Sequence, residues 1–425
     1  MAKPHALVCG ASIAGPMTAY WLARAGFTIT VIERYPTIRA GGQNIDIRTS
    51  GVTIMRKIPG MEAAVRSKIT PQDCLQFINS KGKPYATMRP TGDPSQQNLM
   101  SEYEIFRDDL SQIIIDLTKD NEDVRYVFGE QVASLHQDKD KGKITVEFKE
   151  GKLPTTTYDL VVAADGATSR TRALGLDCTV RTHIHPVNAW AAYTSIDNDY
   201  LNGTKGGQLY GSLGGRALGV GPDPSGGNRI VAMAILPRNA PDATLPFRSA
   251  QKEGDDALRR YVAQHFKGAG WKSDDIIHDM VSSPHFYASE WVQVKVPELS
   301  RGRFTLVGDA GYASGPTGGG TTLAMTGAYV LAGELARHKG DVEAGLRAYD
   351  QRMRPIVEDM QKIPPGVPTA IAPQTWWGIW IRDIVLILMT WGSGAFGWVL
   401  KYLAPSFGGG ISITFLTMSG RSERE

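Results

Sequence analysis

The sequence predicts an α/β fold: a Rossmann-type nucleotide-binding domain, an inserted antiparallel β-sheet domain, and a helical, apolar C-terminal tail. Three observations carry that expectation. A strand, a glycine turn, a helix and a second strand open the chain within residues 5–33. Two later strand-like runs, residues 159–164 and 304–307, end in acidic residues followed by helical spacing. Between them, residues 188–196, 207–221 and 229–236 alternate and are rich in glycine, as antiparallel strands are.

The 425 residues are enough for two domains sharing an interface. A hydrophobic content of 42% and a charged content of 21% fit a soluble globular protein. The net charge of +3, with no Lys/Arg-rich run, points away from a nucleic-acid partner. Cys9, Cys74 and Cys178 are isolated thiols, which excludes a disulfide or zinc framework and suits a reducing compartment. Residues 6–23 are apolar but contain Gly10, Ser12, Gly15 and Pro16, so they read as strand, turn and helix rather than a signal peptide. The protein is therefore expected to be intracellular and cytoplasmic.

In the first unit, an apolar run from His5 to Cys9 ends at Gly10. Helical spacing follows over residues 14–25, Gly26 stops it, and residues 27–32 form a β-branched strand. Gly10 allows the tight turn and Gly15 lets helix and strand approach. The helix N-terminus offers free amides and a positive dipole end to a pyrophosphate. Glu33 ends the second strand, where an adenosine ribose would donate to it. Ser12 stands where the G-x-G-x-x-G pattern has its middle glycine. The substitution adds only a CH₂OH group and could itself donate to a phosphate. This stretch predicts a nucleotide but does not choose between NAD and FAD.

The second motif, residues 158–176, places Asp165-Gly166 at the carboxyl end of a strand, with Ser169, Arg170 and Arg172 opening a helix. The third, residues 301–338, runs from a strand into Gly308-Asp309. A loop with Gly315, Pro316, Gly318, Gly319 and Gly320 follows, then a helix from about Thr321 with an apolar stripe. Such an acidic residue suits the hydroxyls of a ribityl chain. The amides of residues 318–322 suit a flavin's pyrimidine edge, where negative charge gathers on reduction.

In this order and at these separations the three motifs resemble the FAD-dependent class A monooxygenases, the para-hydroxybenzoate hydroxylase-like group that includes tetracycline-inactivating and polyketide-modifying enzymes. The resemblance covers residues 5 to about 355. It implies an enzyme with FAD bound and NAD(P)H as co-substrate. Such an enzyme inserts one atom of O₂ into an aromatic or polycyclic, polyketide-like molecule through a C4a-hydroperoxyflavin. By resemblance, Gly10, Ser12, Ile13, Ala14 and Gly15 with Glu33 and Arg34 form the ADP site. Arg107 contacts the ribityl–phosphate part, Asp165 belongs to the Asp-Gly motif, and Asp309 binds the ribityl chain. Pro316, Gly318, Gly319 and Gly320 surround the site where oxygen reacts, with no side-chain acid or base and no metal assigned. Tyr312 stands where many members have histidine. Arg39 and Arg48 flank residues 41–47, a segment near the mobile flavin in such enzymes, although loop arginines are more often solvated.

The same resemblance divides the chain. Residues 1–72, 103–178 and 298–360 would form the FAD-binding domain, 73–102 and 179–297 the substrate-binding cap, and 361–425 the tail. Tyr193, Gln208, Tyr210 and Met233 are expected to line the substrate pocket, with cap-core packing as the alternative for the aromatics. His183 and His185 read as surface residues. Residues 384–400 are 17 uncharged, mostly apolar residues. They are at the lower limit for a membrane span, and two short helices packed on the domain interface are the preferred reading over a membrane contact. Alternatives on the same fold are a flavin reductase or halogenase, although the halogenase segment Trp-x-Trp-x-Ile-Pro is absent; outside enzymes, a flavin- or ligand-binding protein. Substrate identity and oligomeric state stay open.

Overall fold

The nucleotide-binding unit sits on a six-stranded sheet. The computed structural model describes residues 3–38, 43–90, 101–138, 142–224, 226–240, 242–363 and 371–391. The sheet order is Ser300–Arg301, Phe304–Leu306, Leu160–Ala163, His5–Cys9, Thr28–Glu33 and Val124–Phe128, parallel throughout except at the Ser300–Arg301 edge. The central strands are apolar along their whole length, as strands covered on both faces must be, and Leu160–Ala163 is buried at every position. The three predicted motifs thus deliver adjacent strands, and their turns line one edge of one sheet.

The helix Ala14–Arg24 packs against the helix Gly320–Arg337. The sequence predicts an apolar stripe on the latter, but every residue from Thr321 to Leu335 is buried. A helix apolar all round sits inside the protein, and this one is enclosed on every side. The helix Val342–Met360 forms part of its wrapping.

The second sheet has seven strands in the order Tyr287–Val294, Ile184–Ile196, Asn228–Ile235, Arg216–Pro222, Gly206–Ser212, Cys74–Ile78 and Pro84–Met88. All neighbours are antiparallel except the parallel junction of Gly206–Ser212 with Cys74–Ile78. The alternating stretch 207–221 proves to be a hairpin rather than one strand. Trp190, Ala192, Leu218, Val220, Ile230 and Ala232 face one side, where three helices cover them: Leu245–Glu253, Asp255–Phe266 and Ser273–Ser282. The opposite face carries Ala189, Ala217, Ile235, Leu209, Met233 and Trp291.

That second face is partly roofed by the C-terminal helix Trp376–Trp391. Leu386 packs on Phe77 and Ala86, and Ala372 joins the cluster around Ala189 and Ala217. The apolar run expected at 384–400 is therefore helical as far as residue 391, with Leu386 seated on the sheet, and residues 392–400 lie outside the described residues. No helix among the described residues is long and apolar enough to cross a membrane.

Candidate functional site

The first turn is built around two glycines. Gly10 has φ +111°, and a Cβ there would meet the Ala164 carbonyl oxygen at 2.5 Å. A Cβ on Gly15 would overlap the Gly10 carbonyl, so helix and strand touch backbone to backbone. Ile13 and Ala14 are buried, and no side chain caps the helix Ala14–Arg24, whose first turn carries no acidic residue. Its N-terminal amides are left to a ligand anion. Ser12 Oγ lies 3.4 Å from Ser111 Oγ, a long contact with the helix Arg107–Asp116. Glu33 accepts from the Ala11 amide at 3.0 Å and from the Tyr35 amide at 3.1 Å, so its carboxylate braces the turn. Arg34 is exposed and lies over the Tyr35 ring.

The Asp-Gly motif is organised differently from the simple expectation of a ligand carboxylate. Asp165 accepts from Ser169 Oγ, and its second oxygen accepts from the Thr171 amide at 3.2 Å and Thr171 Oγ at 3.0 Å. Its oxygens are taken up by the helix that follows. Arg172, fully buried, donates to three backbone carbonyls: Ala310 at 2.7 Å, Ala167 at 2.9 Å and Val180 at 2.8 Å. It ties the second motif to the residue next to Asp309.

Asp309 is enclosed by protein yet reached by solvent, as a side chain on the wall of a deep crevice is. Among the described residues nothing donates a hydrogen bond to it. Burial raises its pKa, and the Arg107 guanidinium pulls the other way, so the two expected ribityl-binding residues face one another. Arg107 is held in place because the strand Glu104–Phe106 runs directly into its helix. Gly320 lies so that a Cβ would be 3.7 Å from Asp309 Oδ1, and Gly318 adopts φ +73°. The helix Gly320–Arg337 also starts without a side-chain cap or an acidic residue. Two uncapped helix starts, a partnerless carboxylate and a glycine cradle fit the length and charge pattern of FAD. Tyr312 points away: its hydroxyl lies 3.1 Å from the buried Tyr349 hydroxyl, beneath the helix Gly320–Arg337.

Sequence reasoning pointed to Arg48 but missed its carboxylate partners, Asp46 and Glu104, in a cluster beside the glycine loop. Arg48 is buried and donates to Asp46 Oδ2 from Nε at 3.1 Å and Nη2 at 2.7 Å. Asp46 Oδ2 lies 4.0 Å from where a Gly318 Cβ would stand. The Arg48 amide donates to Thr322 Oγ1 at 3.1 Å, and that hydroxyl also reaches the Arg48 carbonyl. Glu104 lies directly across the strand pair from Asp46. The visible signal was the Glu-Ile-Phe-Arg run ending at Arg107, but nothing in one sequence pairs it with residue 46. Arg39 lies outside the described residues.

Register fixes what the second sheet presents. Met233 pairs with Ala191 and Ala217, and Tyr193 with Val231, so both lie on the face with Leu209 and Trp291. Tyr193 accepts from Trp291 Nε1 at 3.2 Å. Gln208 and Tyr210 do not join them. They pair with Val220 and Leu218, on the face covered by helices, and the Tyr210 hydroxyl donates to the Ala269 carbonyl at 3.1 Å. The pleat explains this correction: neighbouring residues of a strand face opposite ways, and Leu209 takes the inward position. His185 is exposed and His183 half-buried, with its pKa lowered by burial and by Arg172. The loop bearing Pro316 meets this sheet where a Gly315 Cβ would stand 3.2 Å from Gln293 Cγ and 3.7 Å from Val187 Cγ1.

Comparison with known proteins agrees with this geometry. A family model described as an FAD binding domain matches residues 3–363. Monooxygenase CTB7 of Cercospora beticola is 32% identical over 391 residues, covering 91% of this chain and 92% of that protein. FAD-dependent monooxygenase asL4 of Sarocladium schorii is 29% identical over 436 residues, covering 94% and 96%. The crystal structure of tetracycline destructase Tet(51) superposes with a TM-score of 0.74 at 28% identity, covering 91% of this chain and 96% of that one. The chain belongs to the FAD-binding-domain family, as a flavoprotein monooxygenase of class A architecture with FAD as its cofactor.

Proposed function

We propose that the protein uses NAD(P)H and O₂ to insert one oxygen atom into an aromatic or polycyclic, polyketide-like small molecule. The carrying observation is the meeting of the Pro316 loop with an aromatic and apolar sheet face (Leu209, Met233, Tyr193 and Trp291). When bound, FAD would supply the redox chemistry that couples NAD(P)H oxidation to insertion of one oxygen atom, with water as the other product.

The chain's own groups bind, orient and exclude water. The amides of Ile13, Ala14 and Gly15 take the pyrophosphate, and Glu33 takes the ribose while keeping the turn in shape. Arg107 and Asp309 hold the ribityl–phosphate part. The amides from Gly318 to Thr322 would serve the pyrimidine edge, and Pro316 would bound the space where oxygen reacts. Asp165 positions the second motif by accepting from Ser169 and Thr171 at the start of the helix that follows it. Leu209, Met233 and Trp291 form a flat wall for a ring system, with Tyr193 bridged to Trp291. The helix Trp376–Trp391 closes part of that wall against water, which strengthens every polar contact inside. No acid or base side chain is required at the reacting atoms.

NAD(P)H oxidation by the purified yellow protein should accelerate when a phenolic or polyketide ligand is added. A protein that holds FAD but is never reduced by NADH or NADPH, with or without ligand, contradicts the proposal.

A further inference from the structure

We propose that Glu104 and Asp46 share a single proton and that this carboxylate pair, beside the glycine loop, tunes the bound flavin according to pH. The inference rests on the FAD site described above. Asp46 and Glu104 are direct cross-strand partners in the two-stranded ribbon Asn44–Asp46 and Glu104–Phe106. Side chains so placed have Cβ atoms about 5 Å apart. Arg48 makes two bonds to Asp46 Oδ2, and its charge also reaches Glu104. Among the described residues the Glu104 carboxylate receives only the Asn44 amide, at 2.6 Å. Two carboxylates paired across a strand pair, with one buried cation bonded to the first, hold a proton in common rather than both ionise. Burial, then Asp46, raises Glu104 to about 7, while Asn44 and Arg48 act against the rise.

The other described charges around the pair are engaged elsewhere, among them Arg229, which lies over the Phe106 ring and is paired with Asp223 at 2.6 Å. On its own strand Glu104 is followed by Arg107, whose charge acts on Asp309. Glu102, before it, is held by Arg66 at 3.0 Å. The segment bridged to this ribbon through Ile69 carries Lys68, which is paired with Asp109 at 3.3 Å. Among the described residues, Asp46 and Arg48 are the charged groups that act on Glu104.

The pair is also mechanically fixed to the cofactor elements. Arg48 is bonded through its amide and carbonyl to Thr322 at the start of the helix Gly320–Arg337. The next residue, Thr49, has φ +41°, a conformation that a β-branched residue adopts only where the surroundings impose it. Gly318 approaches Asp46, and Glu104 leads into Arg107. Loss of the shared proton adds a negative charge beside the amides that face the flavin's pyrimidine edge. That charge disfavours reduced flavin over oxidised flavin, and flavin reduction correspondingly raises the pair's affinity for its proton.

The test is the pH dependence of the bound flavin's midpoint potential in the full-length holoprotein, with Glu104→Gln and Asp46→Asn variants. Wild type should show an inflection near neutral pH. Glu104→Gln should abolish it, and Asp46→Asn should move it to lower pH because the like charge is gone. Curves that coincide for all three proteins overturn the proposal while leaving FAD binding intact. A chain that binds no FAD overturns instead the site reading on which the proposal rests.

Discussion

Ser12 and Asp309 show how unequal two expected cofactor residues are. Among the described residues Ser12 reaches only Ser111, at 3.4 Å, so Ser12→Gly should leave FAD affinity within a few-fold of wild type. Asp309 has no donor among the described residues and faces Arg107, so Asp309→Ala should remove a charge-assisted bond. Such bonds contribute about 1.5–3 kcal/mol, and FAD should dissociate roughly ten- to a hundredfold more readily in fluorescence titration. Flavin loss in Ser12→Gly, or none in Asp309→Ala, would reverse these assignments. Glu104 adds a stability prediction. Its folded pKa of about 7 stands above the ordinary 4.5, so its contribution is full below pH 4.5 and is lost as pH rises through 7. Glu104→Gln should therefore stabilise the protein relative to wild type by about 3 kcal/mol at about pH 8.5, and by less than about 1 kcal/mol at about pH 5. Thermal unfolding at the two pH values checks this: a gain of equal size at both denies the raised pKa. Asp309 was legible in the sequence because strand, acid and glycine loop are contiguous. Asp46 and Glu104 were not, since only strand pairing brings them together.

The turns that open the three motifs are built from fixed steric and polar contacts. Gly15 touches the Gly10 carbonyl, so Gly15→Ala should cost about 1–3 kcal/mol of overpacking and weaken FAD binding with it. Arg172 serves three carbonyls from one buried guanidinium. Arg172→Met would leave them unsatisfied, and thermal denaturation should show a loss of about 3 kcal/mol or more. An unchanged midpoint would mean that water replaces the guanidinium and that the two motifs are not joined through it. Strands and helices of the first unit were legible because their apolar periodicity and glycine stops are local. The helices Leu245–Glu253, Asp255–Phe266 and Ser273–Ser282 are hard to read from sequence because charged residues crowd their outer faces and leave a narrow apolar stripe. Alternation alone placed Gln208 and Tyr210 together correctly, but on which face depends on register with Arg216–Pro222, a long-range fact.

At the scale of the molecule, the seven-stranded sheet lies between its own helices and the flavin-binding unit, and the C-terminal helix locks over one edge. Arg382 is the lock: it donates to Asp383, to the Tyr85 hydroxyl at 3.2 Å and to the Ile371 carbonyl at 3.3 Å. A Cβ on Gly211 would overlap its guanidinium, so the strand Gly206–Ser212 is shaped to admit it. Arg382→Met should loosen the helix, raise KM more than it lowers kcat, and speed limited proteolysis near residue 376. Equal proteolysis and an unchanged KM would show that Leu386 and its neighbours hold the helix without it. The outer side of that helix, with Trp376, Trp377, Trp380 and Leu388 exposed, explains why the tail looks apolar in sequence while only its inner side packs. The central claim is monooxygenation, and isotopically labelled dioxygen tests it most directly. With NAD(P)H and a panel of aromatic polyketides, the account predicts a product carrying one labelled oxygen atom, with the other in water. NAD(P)H consumption with no label in any product, or with both atoms in one product, would contradict it.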